Sequence, residues 1–293
     1  MIDAGTTQGP TADLAPDLVR AAEAALDGDR LEVPMLPETA LEVMRLCRDP
    51  DADPPRIAEL VQRDPQLAAR VTALANSAVY ASVAPVLAVQ PALGRLGLRA
   101  VSELAIAVAC EARLFKVEGF EGRLRRILRH SALAAGTARE IARTIRENVE
   151  EAFFVGLLHD IGKPLVLQAA LDARGGRAAD LDAAEVDALL AAYHERAGER
   201  LVGHWQLGPR LAEVVGRHHD AEVAVDAPPL LHILRMADDV ARELARTPDL
   251  DAFAVIDLIL GHPSVEALNI YAEDAERISA SLPQILAFAE TVA

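Results

Sequence analysis

A chain of 293 residues with 52% hydrophobic content is long enough to close one large core or two fused lobes, and too apolar for disorder. Its 45 acidic residues against 29 basic ones leave a net charge of −16, which repels nucleic-acid phosphates and anionic lipid and argues against both as partners. Aromatic residues make up only 3% while Ala, Leu and Arg dominate, which favours helices over strands.

In chain order, Met1 to Pro10 lacks the basic and apolar regions of an export signal. No apolar run approaches the roughly 20 residues that span a bilayer, so a cytoplasmic protein is expected. Asp13 to Leu26 suits a short helix that Gly28 and Asp29 interrupt, and residues 1–30 read as an appendage. The main body starts at Pro34 to Pro37. Pro37 opens a helix through Cys47, Asp51 to Pro54 break it, and Pro55 opens another through Arg63. Asp64-Pro65 is an N-cap and first-turn pair, after which Leu67, Val71, Leu74 and Ala78 recur at helical spacing toward Asn76-Ser77. Val83 to Gln90 reads as a loop into a helix around Leu93, with Gly94 and Gly97 bracketing a turn. Val101, Leu104, Ala105, Val108 and Ala112 mark a long helix at the centre of a first lobe. Cys47 and Cys110 lie inside such apolar patterns and read as buried free thiols.

A second lobe begins near Glu118, where Gly119 and Gly122 loosen the chain before the periodic stretch Leu124 to Ile145. Further helices are predicted over Ala152 to Asp160, Ala184 to Trp205, Pro209 to His218 and Pro229 to Leu244. Two more follow between Asp249 and Ala293, around His262-Pro263.

Imidazole, carboxylate and water are the ligands of metal-assisted hydrolases, which gives the eight histidines their interest. His130 lies at the edge of the stripe Ile127, Ala134, Ala138, Ile141 and Ile145. His159-Asp160 end an apolar helix, where the backbone dipole favours a cation. Lys163 follows, one of two lysines among the 29 basic residues. His194 and His204 fall on the stripe of Leu190, Ala197 and Leu201, and both are predicted to face inward. His218-His219-Asp220 end the next helix. The stripe Leu231, Leu234, Ala241 and Leu244 passes through Asp238 and leaves Asp239 outward.

A lone inward histidine is more often a hydrogen-bonded core residue than a ligand, and His204, His232 and His262 stay in that class. Lys163 also reads as a helix-end cation, Asp239 as a solvated partner of Arg235 or Arg242, and Arg123, Arg125, Arg126 and Arg129 as a solvated face. For His130, His159, Asp160, His194, His218, His219 and Asp238 together, coincidence is harder to sustain. Seven ligand-type side chains on inward faces of successive helices would each need a separate partner.

These residues carry two family resemblances. His130, His159-Asp160 and Asp238 resemble the histidine, HD dipeptide and later aspartate of the HD superfamily of metal phosphohydrolases. His194 with Gly198, then His218-His219, is similar to the further ligand positions of its HD-GYP branch. The resemblance implies that the seven residues hold one or two divalent ions (iron, manganese or magnesium), with Lys163 near a substrate phosphate. Leu36-Pro37, Ile57-Ala58 with Asp64-Pro65, Ala75-Asn76-Ser77-Ala78 with Tyr80, and Leu96-Gly97 resemble the HDOD domain, over roughly Leu31 to Ala245. That resemblance implies an all-α, two-lobed fold: an N-terminal helical lobe over 31–117, an HD-like lobe over 118–245, and C-terminal helices over 246–293.

HDOD domains are regarded as signalling output or adaptor modules, commonly with a degenerate metal site. This chain departs from HD-GYP enzymes in having Ala221 to Pro229 after His218-His219-Asp220, without a Gly-Tyr-Pro triplet. It departs from a degenerate site in keeping the ligand types. The leading expectation is therefore a regulatory module that binds a signalling protein partner at the groove between the lobes. The rival is a metal-dependent phosphohydrolase in which ions acidify a water and Asp160 and Lys163 serve catalysis.

Overall fold

The computed structural model describes residues 14–27, 37–47, 49, 51–80, 84–114, 116–220, 223–247 and 250–293. Every regular element among them is helical. The first lobe holds α2 (Glu38–Cys47), α3 (Pro54–Arg63), α4 (Pro65–Ala75), α5 (Val89–Leu96) and α6 (Leu98–Leu114), preceded by α1 (Pro16–Asp27). The HD-like half holds α7 (Glu121–Ile145), α8 (Val149–Leu158), α9 (Gly162–Ala173), α10 (Ala183–His204), α11 (Pro209–Val215) and α12 (Pro229–Arg246). The chain ends in α13 (Ala252–Leu260), α14 (Ala272–Ser279) and α15 (Leu282–Val292). The all-α expectation holds. Leu36, Val83 and Ala221, used above as markers, lie outside the described residues.

Local chemistry sets the helix starts. The Asp64 carboxylate accepts from the Gln66 and Leu67 amides at 3.0 and 3.1 Å, and Pro65 needs no partner at the first turn. Asp64→Ala is expected to lower stability by about 1 kcal/mol, read as a shifted urea midpoint at unchanged slope. α5 stops where Gly97 takes φ +79, whereas Gly94 lies inside the helix rather than in a turn. α6 is buried from Val101 through Cys110, as expected of the central helix of its lobe. Burial pushes the Cys110 thiol up to about 12, and both cysteines are free.

Three expectations need correction. The helix within the 1–30 appendage is docked, with Leu18, Ala22 and Leu26 buried and α1 lying on α9 and α10. α9 was not expected: only Gln168 and Asp172, bonded at 2.8 Å, mark an outer face on a helix otherwise mostly buried, so its amphipathic signal is weak. The C-terminal region forms three α-helices rather than two, since a turn at Ala280-Ser281 starts α15 with Pro283 in its first turn.

α7 is the axis of the HD-like half, with α8, α12 and α15 packed on it. Gly156 of α8 lets the two backbones touch: a Cβ there would lie 2.6 Å from Ala135 Cα. Residues Val149–Ala173 together have the length and hydropathy of a membrane span, but the turn at 159–161 divides them and they are mostly buried in the core.

α15 seams the lobes. It contacts α7 on one side and α4 and α6 on the other, Arg70 donates to the Thr291 carbonyl, and Phe288 meets Phe153 edge-on at 5.6 Å. Below it a buried ion cluster crosses the same seam: Arg139 bonds Glu103 of α6 at 2.5 Å and Glu140 at 2.9 Å.

Candidate metal centre

The HD-like half directs its polar side chains to one buried spot. His130 comes from mid-α7, His159 and Asp160 from the turn between α8 and α9, and Lys163 from the first turn of α9. His194 comes from α10, His218 and His219 from the turn after α11, and Asp238 from α12. His159 and Asp160 are 0% and 1% exposed. Two glycines bring these segments together. A Cβ on Gly162 would lie 2.0 Å from the His194 carbonyl oxygen, and one on Gly198 would lie 2.7 Å from Val215 Cγ1.

The side chains form two trios, His130–His159–Asp160 and His194–His218–His219, in each of which the donor atoms lie within 4.8 Å of one another. Asp160 spans them. Its Oδ2 is 3.5 Å from His159 Nε2 and 3.9 Å from His130 Nε2, while its Oδ1 is 3.7 Å from His194 Nε2 and 3.9 Å from His218 Nε2. Asp238 Oδ1 closes the first trio at 2.8 Å from His130 Nε2.

The imidazole tautomers follow from their outer partners. Nδ1 of His159, His194 and His218 faces the carbonyls of Gly156, Leu190 and Val215 at 2.8, 2.6 and 2.7 Å. A carbonyl only accepts, so each Nδ1 carries the proton, and the neutral His194 and His218 rings turn their Nε2 lone pairs inward. His194 Nε2 and His218 Nε2 then face each other at 3.3 Å, two lone pairs with no donor between them. Asp160 Oδ1 is buried beside them and makes no hydrogen bond. Imidazole nitrogen with carboxylate oxygen is a donor set for a divalent transition ion, and an ion among these atoms resolves both deficits. The residues present fit such an ion.

The titration pattern agrees. Burial alone lowers the pKa of His159, but the Asp160 and Asp238 carboxylates outweigh it and hold the ring at about 10. Burial raises the Asp160 carboxyl, yet His159 and Lys163 overcome it and keep it well below its ordinary range. Hydrogen bonds from His130 and His159 do the same for Asp238. On the other side, burial presses His194 down to about 4 and His218 well below the usual histidine value. Two carboxylates thus face two imidazoles that burial keeps neutral.

Six of the seven expected ligands are buried or half-buried at this spot. His219 is in reach but sits on the exposed rim, with its backbone amide held by Glu195 Oε1 at 2.8 Å. His204, expected inward, is exposed at the end of α10. His232 is a core histidine between Ser264 Oγ and the Ala224 carbonyl, both at 3.1 Å. Asp239 pairs with Arg242 and keeps an exposed side chain, as expected, and it also pairs with the buried His262 at 3.2 Å. Lys163 Nζ lies 2.5 Å from Asp160 Oδ2. Sequence reasoning missed two supports. Arg242 also holds the outer oxygen of Asp238, an i,i+4 pair visible in the sequence, and Arg235 donates to the Asp220 carbonyl to fix the His218-His219 turn.

The model of the HDOD domain family matches residues 33–221, stopping short of Asp238. Among solved structures, a Shewanella amazonensis SB2B protein provisionally named a metal-dependent phosphohydrolase is 24% identical with a TM-score of 0.64, over 91% of this chain and 99% of that one. A provisionally named signal transduction protein of Marinobacter aquaeolei VT8 is 20% identical with a TM-score of 0.57, over 97% of this chain and 68% of that one. Identities this low speak for the fold alone. An uncharacterised protein of Treponema pallidum (strain Nichols) is 25% identical over 231 residues, 75% of this chain. The chain spans 44% of that protein's length.

Proposed function

Because the chain belongs to the HDOD family, we propose that it is a signal-transduction module whose HD-like half holds one or two divalent ions, and that ion occupancy sets the form in which it meets a protein partner. The observation that carries this reading is the inward convergence of unpartnered lone pairs: His194 Nε2, His218 Nε2 and Asp160 Oδ1 lie within 3.9 Å of one another with no proton donor among them. His130, His159 and Asp238 would hold the ion on the other side of Asp160, and His219 would complete the outer trio from the rim. An ion in such a site fastens α7, the 159–161 turn, α10, the 216–219 turn and α12 together, because the site exists only in the folded chain. The seam of Arg139 and α15 would pass that stiffening to the first lobe.

A second reading, a metal-dependent phosphohydrolase, is favoured by Lys163. Its ammonium lies beside the carboxylate that spans the two trios, where it can offset charge growing on phosphate oxygens. Bound ions would supply Lewis-acid charge and lower the pKa of a water. Asp160 would align the two trios, and the Gly156, Leu190 and Val215 carbonyls would keep three imidazoles in the ligating tautomer.

The first reading is tested by stability. Manganese added to chelator-treated protein at about 100 times its dissociation constant is expected to stabilise the fold by about 2.7 kcal/mol. His194→Ala/His218→Ala should lose most of that shift. An equal shift in the variant would show that the ion binds elsewhere.

A further inference from the structure

Between the lobes, α6 and α8 line a shared cavity of about 470 Å³, within the size range of small-molecule sites. Each helix lines it in the same way. α6 presents Arg99 at the exposed mouth and, one turn further in, the buried Ser102 and Glu103. α8 presents Glu150 at the mouth and, one turn further in, the buried Phe153 and Phe154. The spacing i, i+3, i+4 puts each trio on one helix face. The Phe153 and Phe154 rings meet edge-on at 6.0 Å, so the α8 wall offers aromatic surface in two orientations. The buried polar groups of the α6 wall are short of donors. Glu103 gives one oxygen to Arg139 at 2.5 Å, and its other oxygen has no hydrogen bond among the described residues. The Ser102 hydroxyl, 9% exposed, has none there either. The Cys47 thiol, which burial pushes up to about 11, stays protonated and adds a weakly polar wall.

We propose that this interlobe cavity binds an uncharged, flat heteroaromatic molecule of bicyclic size that carries an N–H donor on its inner edge. The ring lies against Phe153 and Phe154, which gain by excluding water and by edge-to-face contact. The donor goes to the free oxygen of Glu103, with the Ser102 hydroxyl beside it able to accept or donate. The absence of charge follows from the partner already in place. Arg139 neutralises Glu103, so its second oxygen lacks a hydrogen bond rather than a second cation, and a buried anion there would meet a carboxylate. At the mouth Arg99 and Glu150 carry opposite charges, so the entrance favours neither sign. α6 belongs to the first lobe and α8 to the HD-like half, so a bound ring touches both. α8 then continues to Leu158, next to His159, and the cavity is thereby joined to the metal centre by one rigid helix while sharing none of its ligand-type residues.

The test is a ligand-observed NMR titration of the full chain with probes of nearly equal shape: indole, which offers a ring N–H, benzofuran, which offers only a ring oxygen, and N-methylindole, whose nitrogen carries no proton. Indole is expected to bind about tenfold or more tightly than either of the others, the effect of one hydrogen bond to a charged acceptor. Glu103→Gln should reverse the order of indole and benzofuran. The amide oxygen must stay with Arg139, which turns the amide NH₂ toward the cavity, where benzofuran accepts and indole does not. Ser102→Phe, whose ring would project into the cavity, should weaken indole by about tenfold or more while leaving the unfolding midpoint equal or higher, and it keeps the test available if Glu103→Gln does not fold. Equal affinity for indole and benzofuran in wild type would overturn the proposal. So would indole binding that survives Ser102→Phe unchanged, since the probe would then sit elsewhere, or a folded wild-type chain that binds none of the probes.

Discussion

Gly162→Ala is expected to destabilise the protein by about 3 kcal/mol or more and to abolish metal retention. The new methyl would lie 2.0 Å from the His194 carbonyl oxygen, 2.6 Å from the Gly198 amide nitrogen and 2.8 Å from Ala197 Cβ. The first two are backbone atoms and cannot rotate aside. α9 must then retreat from α10, carrying the His159-Asp160 turn away from His194 and opening the site along the line that Asp160 spans. Gly203→Ala is the control. It lies in α10 with nothing within 4 Å of its Cβ, so alanine there should be neutral or slightly stabilising through helix propensity. Chemical denaturation of the two variants separates a clash from a general effect of glycine loss. A Gly162→Ala protein that unfolds with wild-type energetics would contradict the close approach on which the site depends.

The second large effect is expected at the seam. Arg139 is 7% exposed and lies between Glu103, at 6%, and Glu140, at 5%. Arg139→Ala leaves the buried Glu103 carboxylate without its partner, while Glu140 keeps Arg143 at 2.5 Å, at an expected loss of about 3–5 kcal/mol. The pH dependence has a definite sign. Burial raises the Glu103 carboxyl above its ordinary value, and Arg139 opposes that rise. A raised folded pKa means that the native state keeps a proton the unfolded state has lost, so this group's contribution falls as pH rises through the window above the ordinary glutamate range. Removing Arg139 extends that window upward. The variant is therefore expected to recover part of its stability as pH is lowered toward the ordinary glutamate range, while wild type recovers less. Glu103→Leu/Arg139→Leu should be far milder than Arg139→Ala, because no charge is left unpaired. Equal losses in the single and double variants would show that volume rather than charge holds the seam.

What the sequence made legible were features carried by local chemistry. Asp64-Pro65 placed a helix start, the periodicity around His130 placed one ligand on its face, and the adjacency of His159 and Asp160 placed two more beside a helix end. Gly162 follows close on the His159-Asp160 pair, but its contact with His194 links positions 32 residues apart, and no local pattern encodes it. The same holds for Arg139 and Glu103, 36 residues apart. His204 was misjudged for a geometric reason. Ten residues from His194 amount to about 1000° of rotation, about 80° short of a whole number of turns, which carries the ring off the buried stripe. α1 was read as an appendage because its docking on α9 and α10 depends on a helix the sequence did not announce.

His130, His159, Asp160, His194, His218, His219 and Asp238 are expected to act as one metal-holding site. The most direct measurement is elemental analysis of tag-free protein purified without oxygen, comparing wild type with His159→Ala/Asp160→Ala. One or two transition-metal ions per wild-type chain are expected and almost none in the variant, with the variant still folded. No metal in a folded wild-type chain, or equal metal in both proteins, would contradict it.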